Sequence, residues 1–164
     1  MARSSITMIQ TEENEKHSKK RYRILMDEPP SEANIMTLIQ NVVSYNETRV
    51  EKSNYQKLAF YMRDEQDEMV GGLYDETYWG WLFISHLWVA EALCGQGYGV
   101  ELMRRVEGEA VNRGCRHAYV DTHDFQALGF YEKLGYQVFG GLEGFPEGHT
   151  HYFLQKRELN LRYA

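Results

Sequence analysis

Residues 88–99 read Trp-Val-Ala-Glu-Ala-Leu-Cys-Gly-Gln-Gly-Tyr-Gly, and this stretch decides the fold. An apolar run from Trp79 to Val89 leads into it, and an amphipathic segment from Tyr98 to Arg113 follows it. The pattern predicts a strand buried on both faces, a glycine-rich turn and a long helix. Free N–H groups at a helix start, helped by the helix dipole, form a site for a phosphate or pyrophosphate. A tight turn without a ligand is the alternative.

The spacing of the glycines excludes two common phosphate loops. Gly95, Gly97 and Gly99 lack the later glycine of the dinucleotide fingerprint, and no Gly-Lys-Ser/Thr ending of a P-loop follows them. The segment before the turn also reads as an antiparallel meander, which argues against a Rossmann unit. We therefore expect a pyrophosphate carrier other than NAD or ATP at this turn.

Composition and charge narrow the class of protein. The chain has 164 residues, 43% of them hydrophobic, and a net charge of −6 from 18 basic and 24 acidic residues. This length and apolar content predict one folded domain. The acidic balance argues against nucleic-acid and membrane partners, and no apolar run approaches the roughly 18 residues of a spanning helix. Only two cysteines and no signal-peptide pattern favour a cytoplasmic location.

The remaining pattern predicts the order of elements. We expect a flexible polar tail over residues 1–21 and a single domain over 22–164, which begins with a strand at Tyr22–Met26. Ser31 then caps a helix with an inward-facing apolar stripe. Three strands in an antiparallel meander, a helix, a strand, a short helix and two strands follow. The expected fold class is α+β, with a mixed, mostly antiparallel sheet flanked by helices. The apolar stripe consists of Ile35, Leu38, Ile39, Val42 and Val43.

Two motifs of this sequence resemble signatures of the GNAT superfamily of N-acetyltransferases. Gly97-Tyr98-Gly99 matches the end of the family's Arg/Gln-x-x-Gly-x-Gly/Ala loop. Residues 130–136, Phe-Tyr-Glu-Lys-Leu-Gly-Tyr, match its Phe/Leu-Tyr-x-Lys-x-Gly-Phe/Tyr signature. The resemblance covers most of the chain from Tyr22, and residues 124–127 are similar to a bacterial small-molecule-type subgroup. It implies the GNAT fold, with the sheet splayed between the strand ending at Val89 and the strand ending near Thr122.

The resemblance also implies a site for acetyl-CoA as co-substrate. Main-chain N–H groups of the glycine turn would hold the pyrophosphate, and the strand end before the turn would hold the pantetheine arm and polarise the thioester carbonyl. Cys94 replaces the family's usual Arg or Gln, so we expect weakened CoA binding. Asp124 replaces an Asn that many members place near the arm. The expected cofactor-binding residues are Leu87, Trp88, Val89, Gly95, Gln96, Gly97, Tyr98, Gly99, Asp124 and Phe125.

Catalytic residues follow from the same resemblance. Tyr131 matches the tyrosine that protonates the leaving thiolate in many members, and a core tyrosine is the alternative interpretation. Phe83 stands where some members carry a glutamate base. His86 is a candidate base, with a buried structural histidine as the alternative interpretation. His123, at the end of a core strand, and Glu91, after the buried strand before the turn, are further candidates, and a water chain could replace a single base. No cluster with metal-ligand spacing is apparent, so no metal is expected.

The function implied is transfer of an acetyl group from acetyl-CoA to a primary amine of a small molecule, by direct attack in a ternary complex. A protein or peptide amine is an alternative acceptor. A regulatory module that binds acyl-CoA without turnover is the other alternative, which Cys94 and Phe83 favour. Strands rich in Trp and Tyr predict a homodimer.

Overall fold

The computed structural model describes residues 22–159, which fall into two compact units divided after Tyr45. The predicted tail over residues 1–21 lies outside the described residues. In the first unit, Tyr22–Met26 forms no strand, contrary to the prediction, because no described segment pairs with it. Two prolines, at positions 29 and 30, follow it closely and separate it from the first helix.

Helix α1 (Glu32–Glu47) begins at the predicted cap. The Ser31 hydroxyl accepts the N–H of Asn34 at 3.3 Å, while the Asp27 carboxylate accepts the N–H of Ser31 at 3.0 Å. None of the residues of α1 is buried, so the expectation of an inward-facing stripe is wrong. Within its own unit, residues 22–45, the structure describes no second element that could cover it.

The second unit is built on one sheet, whose order over the described residues is β1-β2-β3-β4-β6-β5. Every neighbouring pair is antiparallel except β3 and β4, which are parallel. The predicted α+β class with a mixed, mostly antiparallel sheet is confirmed. The strands are β1 (Gln56–Arg63), β2 (Met69–Tyr78), β3 (Trp81–Val89), β4 (His117–His123), β5 (Gln137–Glu143) and β6 (Thr150–Arg157).

One face of the sheet forms the core with the helices of this unit. Helix α2 (Tyr98–Asn112) connects β3 to β4, and helix α3 (Leu128–Lys133) connects β4 to β5. Leu102, Met103 and Val106 of α2 are buried in the core cluster, as hydrophobic periodicity predicts. Among the described residues, no helix combines the length and apolar character needed to cross a membrane.

Strand β3 is buried on one face only, so the expectation of burial on both faces is wrong. Leu82 and Ile84 are fully buried, whereas Trp88 is 52% exposed. Burial alternates along the strand because the core of this unit covers a single face of the sheet. The large aromatic side chains of the other face made the run look uniformly apolar in the sequence.

The parallel pair β3–β4 opens into a gap. Pairing runs from Trp81 opposite His117 to Ile84 opposite Val120 and then stops, although β3 continues to Val89. The expected splay between these strands is confirmed. The sheet therefore has an opening bounded by the end of β3 on one side and the end of β4 on the other.

A β-bulge accompanies the opening. Ser85 is the extra residue of β3, because Tyr74 pairs with His86 and Asp75 pairs with Ile84. The N–H of Ser85 donates to the Asp75 carboxylate at 3.0 Å. Asp75 thus holds the bulge at the point where β3 leaves β4.

Candidate active site

The turn between β3 and α2 adopts a backbone that favours glycine. Gly95 has φ +77° and Gly97 has φ +90°, both in the left-handed region. Gly97 is the N-cap of α2, and the N–H groups of Tyr98, Gly99 and Val100 have no acceptor within residues 22–159. Three free donors at the positive end of a 15-residue helix can bind an anionic group.

A cavity of about 440 Å³ lies beside this turn, between the end of β3 and α3. Gly99 lets α2 approach α3 closely, since a Cβ there would lie 3.4 Å from the Phe130 ring. An apolar cavity that ends at free N–H groups suits a ligand with an uncharged arm and an anionic end. The lining residues are Leu87, Val89, Leu93, Cys94, Gly95, Gly97, Gly99, Val100, Ala127 and Phe130.

Five of the ten expected cofactor residues line this cavity: Leu87, Val89, Gly95, Gly97 and Gly99. The sequence analysis missed Leu93, Val100, Ala127 and Phe130, because an apolar lining residue carries the same signal as a core residue.

Three other expected residues of the strand end and turn lie elsewhere. The Trp88 side chain points to the opposite face of the sheet, where it lines a smaller cavity of about 150 Å³. The Gln96 amide donates to the Ala92 carbonyl at 2.9 Å, which braces the turn. Tyr98 begins α2 and is exposed. None of these three residues lines the cavity at the turn.

Cys94 lies at the exposed edge of the cavity. Its Sγ is 3.7 Å from the Val89 carbonyl oxygen and 3.6 Å from that of Ala90. The thiol therefore turns back onto the end of β3. It supplies neither the charge nor the amide donors that Arg or Gln would offer there.

Tyr131 is buried, with 5% of its surface exposed, and packs in the core cluster beside the cavity-lining Phe130. Burial raises the pKa of Tyr131 to about 12, and the negative charges of Asp75 and Asp121 add to the rise. Its phenol is therefore protonated at neutral pH. No described residue forms a hydrogen bond with its hydroxyl, and Tyr131 is not among the residues that line the cavity.

Asp75 is a fully buried carboxyl in an apolar row that crosses the sheet from Leu58 through Ile84 and Val120. Its Oδ1 accepts the Ser85 N–H, and its Oδ2 has no partner among the described residues. Burial raises the pKa of Asp75 to about 7, although the Ser85 N–H opposes this shift. The sequence analysis did not single out this residue.

The other face of the gap carries a group of rings and carboxylates, here called the histidine cluster. His123 stacks on His151, with ring centroids 4.3 Å apart, and on Phe125 at 5.0 Å. The cluster joins the end of β4 to the start of β6 and the loop before it. Its members are Asp121, His123, Asp124, Phe125, Phe145, His149 and His151.

Two carboxylate–imidazole pairs fix this cluster. Asp121 Oδ2 lies 2.7 Å from His151 Nε2, and Asp124 Oδ1 lies 2.9 Å from His149 Nδ1. Asp124 also accepts the N–H of Thr150 at 3.2 Å. The expected cofactor residues Asp124 and Phe125 therefore face β6 and its loop and do not line the cavity. Within residues 22–159, no three His, Cys, Asp or Glu side chains are arranged to hold a metal ion.

The two candidate bases lie on opposite sides of the gap. His86 belongs to β3, is exposed, and faces the Tyr74 ring with centroids 6.3 Å apart. His123 ends β4 and is partly buried in the histidine cluster. At the position of the family's glutamate base, the Phe83 ring stacks on Tyr119 at 4.5 Å, and burial raises the pKa of the Tyr119 phenol strongly.

Comparisons with known proteins agree with this geometry. Residues 11–136 match the Acetyltransferase (GNAT) family. An acetyltransferase of Agrobacterium fabrum is 37% identical over 116 residues, covering 71% of this chain and 85% of that protein. The blasticidin-S acetyltransferase of Streptomyces morookaense is 38% identical over 99 residues, covering 60% and 73%. A solved acetyltransferase from Bacillus cereus has a TM-score of 0.75 at 29% identity, covering 82% of this chain and 97% of that one.

Proposed function

The chain belongs to the acetyltransferase (GNAT) family and is an N-acetyltransferase, and from this premise we propose that it acetylates a primary amine of a small molecule with acetyl-CoA. The observation that carries the proposal is the apolar cavity of about 440 Å³ at the β3–β4 gap, which ends at the free N–H groups of α2. The pyrophosphate of acetyl-CoA would bind these N–H groups, and its pantetheine arm would lie along Leu87 and Val89.

The unpaired edge of β3 beyond Ile84 supplies the polar partners of that arm. Main-chain groups on this edge have lost β4 as a neighbour, so they can pair with the amides of pantetheine. An N–H on the same edge would face the thioester oxygen and stabilise the negative charge that develops there.

The proposed reaction needs no intermediate on the protein. The lone pair of a neutral amine attacks the thioester carbon, the C–N bond forms, and the electrons of the C=O double bond move to oxygen. They return as the C–S bond breaks, and the amine nitrogen loses one proton. The departing sulfur takes a proton from the Tyr131 hydroxyl, and exchange with solvent restores the phenol.

The raised pKa of Tyr131 has two consequences for this step. It keeps the phenol protonated across the neutral range, so the proton is always present. It also makes the phenol a weaker acid than an ordinary thiol, whose pKa is about 8.5. The sulfur would therefore leave while already hydrogen-bonded to Tyr131, as charge builds on it.

Similarity to the blasticidin-S acetyltransferase supports a small-molecule acceptor. The proposed acceptor enters on the face of the gap that carries the histidine cluster, because acetyl-CoA would fill the other face. The homodimer and the cytoplasmic location stay predictions, and light scattering of the purified protein tests the first.

A thiol-release assay tests the proposed function. Purified protein is mixed with acetyl-CoA and, one at a time, with aminoglycosides, amino-nucleosides, polyamines and peptides with free N-termini. We expect release of CoA thiol that depends on one class of small amine. Faster release of CoA thiol with peptides would mean that the acceptor is a peptide amine rather than a small-molecule amine. Saturable acetyl-CoA binding without amine-dependent release would contradict the proposal.

A further inference from the structure

The side chain of Gln126 fixes the tautomer of His123. Its Oε1 accepts the main-chain N–H of His123 at 2.9 Å, and because that group can only donate, the accepting atom must be the amide oxygen. The same oxygen lies 3.2 Å from His123 Nδ1, so Nδ1 carries the proton in the neutral ring. The lone pair of His123 is therefore on Nε2.

The network around Gln126 extends into the turn after β4. The Thr122 hydroxyl lies 3.3 Å from the same amide oxygen and accepts the N–H of Ala127 at 3.4 Å. Ala127 lines the cavity. Gln126 thus connects the end of β4 to the cavity wall, and α3 begins at Leu128 directly after Ala127.

His123 is placed across the gap from the end of β3. The last pair of the two parallel strands is Ile84 and Val120. Beyond it, Leu87 is the second residue of β3 once the bulge residue Ser85 is set aside, and His123 is the third residue of β4. Leu87 lines the cavity, whereas His123 points to the face opposite the buried Thr122. An amine that approaches a thioester held at Leu87 from the open face would therefore pass His123.

His86 lacks these features. It lies on the β3 side, its ring is exposed, and no described residue forms a hydrogen bond that would fix its tautomer. Its nearest ring, Tyr74, belongs to β2 and lies on the side away from β4.

We propose that His123 Nε2 takes the proton from the attacking amine and that Gln126 is the positioning residue that makes Nε2 available. This inference rests on the proposed acetyl transfer. As the C–N bond forms, the N–H bond of the amine breaks, its electron pair stays on nitrogen, and the proton moves to Nε2. The imidazolium then releases that proton to solvent, which balances the proton that Tyr131 gives to sulfur.

Charged and titratable groups of the cluster face His123 from β4, β6 and the loop before β6. His151 stacks on it and pairs with Asp121, and Asp124 pairs with His149 beside Phe125. Two carboxylates therefore lie in the cluster where the imidazolium forms.

The substitution Gln126→Glu tests the positioning role. The glutamate carboxylate still accepts the main-chain N–H and the Nδ1–H of His123. It also adds a negative charge beside the His123 ring, which favours the imidazolium. The reaction then needs a higher pH to free Nε2, so the acid limb of kcat/KM against pH should move up by about one unit. The acetyl-CoA Kd, measured by titration calorimetry, should stay within about twofold because the cavity lining is unchanged.

Two further variants complete the test. His123→Gln should lower kcat by about a hundredfold and abolish the acid limb. His117→Gln removes a histidine at the other end of the same strand and should leave the limb in place. If the acid limb of kcat/KM does not move in Gln126→Glu, or if His123→Gln keeps the wild-type kcat, the inference is wrong. In that case amine-dependent turnover by the wild-type protein would still support the proposed function. Absence of turnover in the wild-type protein would overturn both.

Discussion

The two faces of the β3–β4 gap are built from different parts of the chain. The cavity face consists of apolar side chains and main-chain N–H groups within residues 87–100, together with Ala127 and Phe130. The histidine-cluster face consists of imidazole, carboxylate and phenyl side chains from residues 121–125 and 145–151. A main-chain site tolerates many side chains, whereas the cluster depends on each one. We therefore expect substitutions on the cavity face to change affinity and those at polar side chains of the gap to change turnover.

The largest expected effect is on turnover, from Tyr131→Phe. Loss of the only proton that this residue can give to sulfur should lower kcat by about a hundredfold or more, with acetyl-CoA Kd nearly unchanged. Steady-state kinetics and calorimetry measure the two quantities. Tyr136→Phe is the matched control, since that phenol is also buried but donates to Glu107 at 2.9 Å. Tyr136→Phe should reduce stability and leave kcat per folded molecule intact. Equal losses of kcat in both variants would contradict the role of Tyr131 as the proton donor to sulfur.

The next effect is on stability, at Asp75 behind the gap. Its folded pKa of about 7 lies above the unfolded value of 3.8, so the folded state binds more protons between these values. Its favourable contribution to the free energy of unfolding is complete below about pH 4. That contribution falls by roughly 4 kcal/mol as the pH rises to about 7. Urea unfolding at pH 5 and pH 8 should show a smaller pH dependence for Asp75→Asn than for the wild type. Equal pH dependence would mean that the carboxyl is solvated.

Gly97→Ala tests the cavity face. A Cβ at Gly97 meets nothing within 4 Å, so the cost comes from its φ of +90°, about 1–2 kcal/mol. If the turn relaxes to avoid that cost, its N–H groups move and the acetyl-CoA Kd should rise about tenfold. Gly108→Ala, in the interior of α2 with equal space and no positive φ, should leave the Kd unchanged. A tenfold change in both variants would show that α2 as a whole, rather than the turn, determines binding.

The smallest expected effect is at Cys94. Cys94→Gln adds an amide donor at the edge of the cavity and should tighten acetyl-CoA binding by about threefold, the worth of one hydrogen bond in solvent. Cys94→Ala should leave the Kd within about twofold, because the thiol only turns back onto β3. A large loss in Cys94→Ala would give the thiol a binding role that its geometry does not explain.

The difference between the two faces also explains what could be predicted from the sequence. The glycine turn, α2 and the β-meander follow from local spacing and periodicity, and Gly95, Gly97, Leu87 and Val89 line the cavity at this turn. The pairs Asp121–His151 and Asp124–His149 join residues 25 to 30 positions apart, so only the β4–β6 register reveals them. Asp75 was overlooked because a single carboxylate in a strand has no sequence signal.

A crystal structure with acetyl-CoA bound tests the central claim most directly, which is that the gap separates a cofactor face from an acceptor face. We predict that the pyrophosphate meets the N–H groups of residues 98–100 and that the pantetheine arm lies along residues 87–89. The sulfur should come within hydrogen-bond distance of the Tyr131 hydroxyl, with the thioester carbon open towards His123. A pantetheine arm that runs over the histidine cluster, or a sulfur remote from Tyr131, would contradict the account.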